Sequence, residues 1–262
     1  MAAPALLNWI ELSRHALRHN IASLARLAGR RLLAPSVKSN AYGHGLPQIV
    51  SLLAETAHCG YVTVHSLEEA ITCRDAGWTR QIMVLGPIPT ASLGEVLAYD
   101  LEPAVFELRT LRELGKLGDR RGVAIRTHLK LETGTNRQGF TAKELPPVVE
   151  LYRKYRSLGK PYGASMHFAN IEDTTNHEYA QYQLDNYRSL IALLKKLGLT
   201  PKVRHTASSA ATILFEKTRF DLVRPGIAVY GHWPSKETYL SYRLQGGANR
   251  LFQPVLSWKT RI

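Results

Sequence analysis

For most of its length the chain repeats one pattern: a short apolar run, a turn, then apolar residues at helical spacing. Arg31–Val37 opens the repeat as a strand, and Leu46–Ala57 follows with the spacing of a helix. Tyr61–Val64 is the next strand. Ser66-Leu-Glu-Glu69 after it has the form of a capping box, opening a helix that runs to Gly77. Gln81–Leu85 and Leu101–Phe106 are further strands, with a helix predicted over about 90–99 between them. The helix after Phe106 ends in the charged stretch Lys116–Arg121. Val123–Glu132 alternates as a half-buried strand, with Ile125, Thr127, Leu129 and Leu131 on one face and Arg126, His128, Lys130 and Glu132 on the other.

A helix over about 144–158 comes next, with Pro146 and Pro147 in its first turn, where missing amides cost least. Gly163–Phe168 is a sixth strand, and a long helix over about 175–197 leads to Lys202–His205. Ser208 opens another helix, and Phe220–Val223 completes the set of eight strands. This strand–helix alternation predicts the α/β class and a parallel (β/α)8 barrel, the TIM barrel, over residues 13–240. Ahead of it, Asn8–Leu12 alternates like a strand within a separate segment, 1–12, and Ser13 caps a helix carrying Leu17, Ile21, Leu24 and Leu27 up to Gly29.

From Gly231 the pattern breaks. Gly246, Gly247 and Pro254 punctuate a polar stretch, and Val255–Ile262 alternates as a new strand. Either this strand pairs with Trp9–Leu12, or it exposes an unpaired edge. The second expectation makes 241–262 a linker and the first strand of a β domain otherwise missing, and the chain a shortened one.

Composition narrows the class further. A hydrophobic fraction of 45% suits a single large globular unit of 262 residues. No apolar run approaches the roughly 20 residues that cross a bilayer, and Met1–Leu7 lacks the basic head of a secretory signal. Cys59 and Cys73 supply neither a disulfide framework nor a metal-ligand set, so no metal is expected and a reducing cytoplasm is the simplest location. The formal net charge of +13 raises nucleic acid, acidic surfaces and small anions as partners. Basic residues are nonetheless interleaved with acidic ones, as in Glu150–Arg156, and no basic-aromatic nucleic-acid motif is present. The pattern reads as a solvated surface of mixed sign.

The candidate chemistry begins at Val37-Lys38-Ser39-Asn40-Ala41-Tyr42-Gly43-His44-Gly45. Lys38 closes an apolar strand, and the carboxyl ends of barrel strands are where active sites are built. A lysine amine there suits a Schiff-base nucleophile. The nonapeptide closely resembles the cofactor-lysine signature of the alanine racemase family, fold-type III enzymes that use pyridoxal 5'-phosphate (PLP). Three further blocks extend the resemblance over nearly the whole chain: His128–Gly139, Ser165–Ala169 with His205–Ser209, and Val223–Ile227.

The resemblance implies a role for each matching position. Lys38 would hold PLP as an internal aldimine and serve as one catalytic base, with Tyr42 near the cofactor phosphate. Arg137 would stand beside the cofactor phenolate and substrate carboxylate, a place suited to a cation that is always charged. Lys130 matches a lysine often carbamylated in relatives; an ordinary ion pair with Glu132 is the other reading. Leu85 would line the pocket, and His167 would lie near the pyridine ring through its contact with arginine. Ser209, Gly226 and Ile227 would meet the phosphate, and Arg224 would face the pyridine nitrogen, a pairing that favours racemisation over decarboxylation. Departures from the family pattern are Glu132 for aspartate, Asn136 for glycine and Ser208 for asparagine.

By the same resemblance the activity is the interconversion of L- and D-alanine, in a homodimer when full-length. The second base is a tyrosine from the missing domain, so this chain alone is expected to be inactive or impaired. The alternatives are a non-catalytic PLP-homeostasis barrel, or a racemase for serine or another amino acid.

Overall fold

The structure, a computed structural model, describes residues 7–261. The parts of the N-terminal segment and of the final strand expected at residues 1–6 and 262 lie outside the described residues. β1 (Asn8–Leu12) precedes the helix Arg14–Ala28, whose Ser13 cap and Gly29 stop fall where the spacing places them. The barrel strands are β2 (Leu32–Leu33), β3 (Tyr61–Val64), β4 (Gln81–Val84), β5 (Glu102–Val105), β6 (His128–Lys130), β7 (Gly163–Ser165), β8 (Val203–His205) and β9 (Leu222–Val223). β3 to β8 pair in parallel in chain order, and β2 pairs with β9. The Ser36–Thr63 bridge on one side, and the bond from Asp221 N to the Arg204 carbonyl (3.0 Å) on the other, close the circle.

The strands are shorter than their apolar runs, because only the segments that share register form ladders. Val123–Glu132 contributes just His128–Lys130. Its polar face also reverses the expected meaning: His128 is fully buried, because that face looks into the barrel rather than into water. The alternate face, with Leu129 and Leu131, packs under the helices. A small cluster of Ala34, Tyr61, Met83, Val203 and Leu222 fills the lumen, while the main apolar core lies between strands and helices.

Beyond the barrel the final strand has a partner. β10 (Leu256–Thr260) pairs antiparallel with β1, Ile10 opposite Trp258. A helix not anticipated in the polar stretch, Lys236–Leu244, runs through the boundary expected at residue 240; its Ser235 hydroxyl accepts from Thr238 N at 2.9 Å. Leu251, Phe252 and Val255 are buried against the barrel. Asn20 ties this segment down: its buried amide donates to Val229 O (3.1 Å) and Gln253 O (2.8 Å), and its oxygen accepts from Gln253 N (2.8 Å).

Replacing Asn20 by Ala leaves these buried backbone groups without partners. The expected loss is about 1–3 kcal/mol, read as a lower Tm in thermal unfolding; an unchanged Tm would show that the segment is held by apolar contacts alone.

Candidate active site

At the carboxyl ends of the strands lies a cavity of about 430 Å³. Lys38, Tyr42, Leu85, Lys130, Arg137, His167, Ser209, Arg224, Gly226 and Ile227 all line it, so every residue to which the resemblance gives a role reaches one place. Each comes from a strand end or the loop after it, which is how a barrel gathers distant segments.

Lys38 is followed by a turn of the wrong hand. Ser39, Asn40, Ala41 and Tyr42 all have φ between 53 and 55°, in the left-handed region. L-residues there cost roughly 1–2 kcal/mol each, so other contacts must hold the turn. The Glu69 carboxylate supplies them, accepting from Ser39 N at 2.5 Å and His65 N at 2.7 Å while completing the predicted capping box with Ser66. Asn40 Oδ1 accepts from Leu46 N at 2.8 Å and fixes the exit into the next helix. Glu69 was legible in the sequence as a helix cap, but not as the anchor of Lys38.

Across the cavity, Ser209 Oγ accepts from Gly226 N (2.9 Å) and Ala228 N (3.3 Å). A Cβ at Gly226 would collide with the Tyr42 hydroxyl, so the glycine makes room for a tyrosine that closes this corner. Burial raises the Tyr42 hydroxyl above its ordinary pKa, keeping it a neutral donor. Ser36 and Thr63, which the sequence reading passed over, line the same cavity, and their buried hydroxyls have no protein partner among the described residues.

Arg224 is buried and still richly bonded. Its guanidinium donates to the His205 carbonyl (2.7 Å), the Met166 carbonyl (2.9 Å) and the His205 ring. Burial pushes its pKa down to about 10, so it stays charged near neutrality. The arginine–histidine contact in this structure is therefore Arg224 with His205; among the described residues no hydrogen bond joins the His167 ring to either arginine. Burial, reinforced by Lys130 and the two arginines, holds His167 well below the usual histidine range.

Lys130 lies deep in the cavity. Burial, with Arg224 and Arg137 nearby, drives its amine well below the usual lysine range. No ion pair joins it to Glu132 among the described residues. That carboxylate instead accepts from the backbone of Gly134 (2.5 Å), Asn136 (3.1 Å) and Arg137 (3.4 Å), capping the loop that carries Arg137. Asn136 has φ 53°, in the left-handed region that asparagine adopts more readily than most side chains. The cavity thus gathers Lys38, Lys130, Arg137 and Arg224 against a single lining carboxylate, Glu172, and suits an anionic guest.

The sequence profile described as "Alanine racemase, N-terminal domain" matches residues 12–234. The chain belongs to the alanine racemase family. It is 34% identical over 257 residues to the alanine racemase of Leptospira interrogans, covering 97% of this chain and 64% of that protein. To that of Clostridium kluyveri it is 35% identical over 256 residues, covering 97% and 63%. Among solved structures, the alanine racemase of D-cycloserine-producing Streptomyces lavendulae superposes with a TM-score of 0.88 at 30% identity, covering 98% of this chain and 66% of that one. The Bacillus anthracis alanine racemase with bound L-Ala-P gives 0.86 at 30%, covering 98% and 64%. The chain therefore spans a little under two thirds of these family members.

Two measurements test this geometry. Glu69→Gln keeps the shape but turns an amide donor toward backbone N–H groups. It is expected to raise hydrogen exchange at Ser39 and His65 more than tenfold, consistent with losing about 1.5–3 kcal/mol of charge-assisted bonding; unchanged protection would show that the turn stands without Glu69. The second concerns pH. An unfolded lysine holds its proton up to about pH 10.4, whereas folded Lys130 releases it well below that. Between the two pKa values the unfolded chain binds the extra proton, so stability rises with pH by at most about 1.4 kcal/mol per unit. In carbon-dioxide-free buffer, Lys130→Met should flatten that rise in denaturant unfolding; equal slopes would mean a charged Lys130.

Proposed function

We propose that this chain is the PLP-binding barrel of an alanine racemase, and that the whole protein interconverts L- and D-alanine. The observation that carries this reading is the opposition of Lys38, at one strand end, to Arg224 and the Ser209–Gly226 corner across one cationic cavity. The donor set fits the cofactor: partnerless Ser36 and Thr63 hydroxyls, the neutral Tyr42 hydroxyl and Ser209 meet the needs of a phosphate, and Lys38, Arg137 and Arg224 those of further negative charge.

When bound, PLP supplies an electron sink that acidifies the substrate Cα proton. Lys38 would hold it covalently; Tyr42, Ser209 and the amides at Gly226 and Ile227 would hold its phosphate; Leu85 would pack against it and His167 would stand near its ring. Arg224, fixed by two carbonyls, would disfavour a proton on the neighbouring ring nitrogen. A weaker sink means fast return of the Cα proton, as racemisation requires. Arg137 would bind the substrate carboxylate. The uncharged Lys130 amine is the form that reacts with carbon dioxide, and as a carbamate it would give Arg137 a negative partner. Freed by substrate, Lys38 would move the proton on one face of Cα. The tyrosine that serves the other face would come from the portion of family length this chain does not match, through a homodimer in the cytoplasm.

The test is α-proton exchange in heavy water, with the chain, PLP, and L- or D-alanine supplied separately. Deuterium entering D-alanine with retention is the expected outcome, and Lys38→Ala should abolish both it and borohydride trapping of PLP. PLP trapped on Lys38 without exchange into either enantiomer would overturn the reading in favour of a binding barrel.

A further inference from the structure

Below the cavity the barrel lumen holds a line of buried polar groups that the proposed chemistry does not use. The His205 ring, bonded to Arg224 through Nδ1, lies with Nε2 at 2.9 Å from His128 Nδ1. His128 Nε2 lies 2.9 Å from Glu102 Oε2, and Glu102 Oε1 takes Arg126 Nε at 2.8 Å and the Tyr61 hydroxyl at 3.4 Å. Glu102, His128 and His205 are all fully buried, whereas the Arg126 side chain is 38% exposed at the opposite mouth of the barrel. The line therefore runs from the cavity to solvent at the far end. Gly163 makes it continuous: a Cβ on β7 would collide with the His128 ring, so its absence lets a β6 histidine meet a β8 histidine across the strand between them.

The direction of every hydrogen bond in this line follows from its two ends together, a guanidinium that only donates and a carboxylate that only accepts. A guanidinium has no acceptor, so His205 Nδ1 must carry the lone pair and Nε2 the proton. That proton faces His128 Nδ1, which must then also be an acceptor, and His128 Nε2–H points to Glu102. Both histidines are neutral in this arrangement, and a second proton on either would set donor against donor. The surroundings agree: besides Glu102, the groups facing the pair are Arg126, Lys130, Arg224 and the Tyr162 ring. Burial followed by Arg224 holds His205 well below its ordinary pKa, and burial lowers His128.

We propose that Glu102 is a positioning residue for Arg224, acting from the far end of the lumen by fixing His128 and His205 as neutral Nε2–H tautomers. Its importance for the reaction rests on the reading that Arg224 faces the cofactor ring; the tautomer order itself does not. Glu102 suits the task because a carboxylate accepts on both sides, from His128 and from Arg126. Glutamine has the same shape and cannot do so. With its oxygen drawn to Arg126, its NH₂ faces His128 Nε2, both tautomers must reverse, and His205 then presents an N–H to Arg224.

The test is nitrogen NMR of the chain labelled at its histidine ring nitrogens, with no cofactor added. In the unaltered chain at neutral pH, His128 and His205 should each show a protonated Nε2 and an unprotonated Nδ1. In Glu102→Gln the His128 Nε2 signal should shift to the unprotonated type. In Glu102→Gln with Arg126→Met it should return, because the amide oxygen is free to turn to His128. An imidazolium or an Nδ1–H tautomer in the unaltered chain overturns the proposal whether or not the variants fold, and so does a Glu102→Gln spectrum identical to the parent's. Failure of Lys38 to trap PLP, with the tautomers as stated, would refute the reading of the site and leave the order of this line intact.

Discussion

A guanidinium inside a barrel is the constraint on which much of this structure turns. Taking a charge out of water costs several kcal/mol unless partners replace the solvent, and Arg224 finds them in two main-chain carbonyls and an imidazole. Those partners sit at the ends of β7 and β8, so the register that pairs these two strands is also the register that solvates the charge. The lumen beneath is correspondingly mixed: an apolar cluster shares it with a glutamate and two histidines.

A second constraint acts at the opposite wall. Four residues of left-handed backbone after Lys38 are held by a carboxylate from the next strand–helix unit. Glu69 thereby does two things with one group, capping a helix and bracing a turn, and this couples the orientation of Lys38 to the seating of the helix Leu67–Asp75. The cationic cavity lies between these two walls, each rigid for its own reason.

The repeat of strand and helix was legible because burial against the outer helices imposes strict spacing on apolar residues. Lys38 was legible as a lysine closing an apolar strand, and the family block gave it a role; the cavity arginines and Gly226 were legible only through family blocks, since periodicity says nothing about them. What alternation misjudged is instructive. In Val123–Glu132 it separated the two faces correctly and took the polar one for the wet one, because a single sequence does not say whether a polar face meets solvent or a lumen. His128 is buried in the lumen on that account, and Lys130 lines the cavity above it. Glu102, inside the run Leu101–Phe106, gave no signal at all, since its partners are 24 and 26 positions away or more. The helix Lys236–Leu244 was passed over because its apolar residues are few and two of them, Leu240 and Leu244, remain exposed.

The pairing of β1 with β10 sets Asn8 opposite Thr260, 252 positions away, with the whole barrel between them. Closing so long a loop is entropically expensive before anything else is ordered, so this ribbon is placed to form late, on a barrel already assembled. Interactions made after the rate-limiting step set how fast a protein comes apart rather than how fast it folds. The seam from Asn8 to Thr260 is thus a kinetic latch: loosening it shortens the lifetime of the folded barrel while leaving the speed of its assembly nearly untouched.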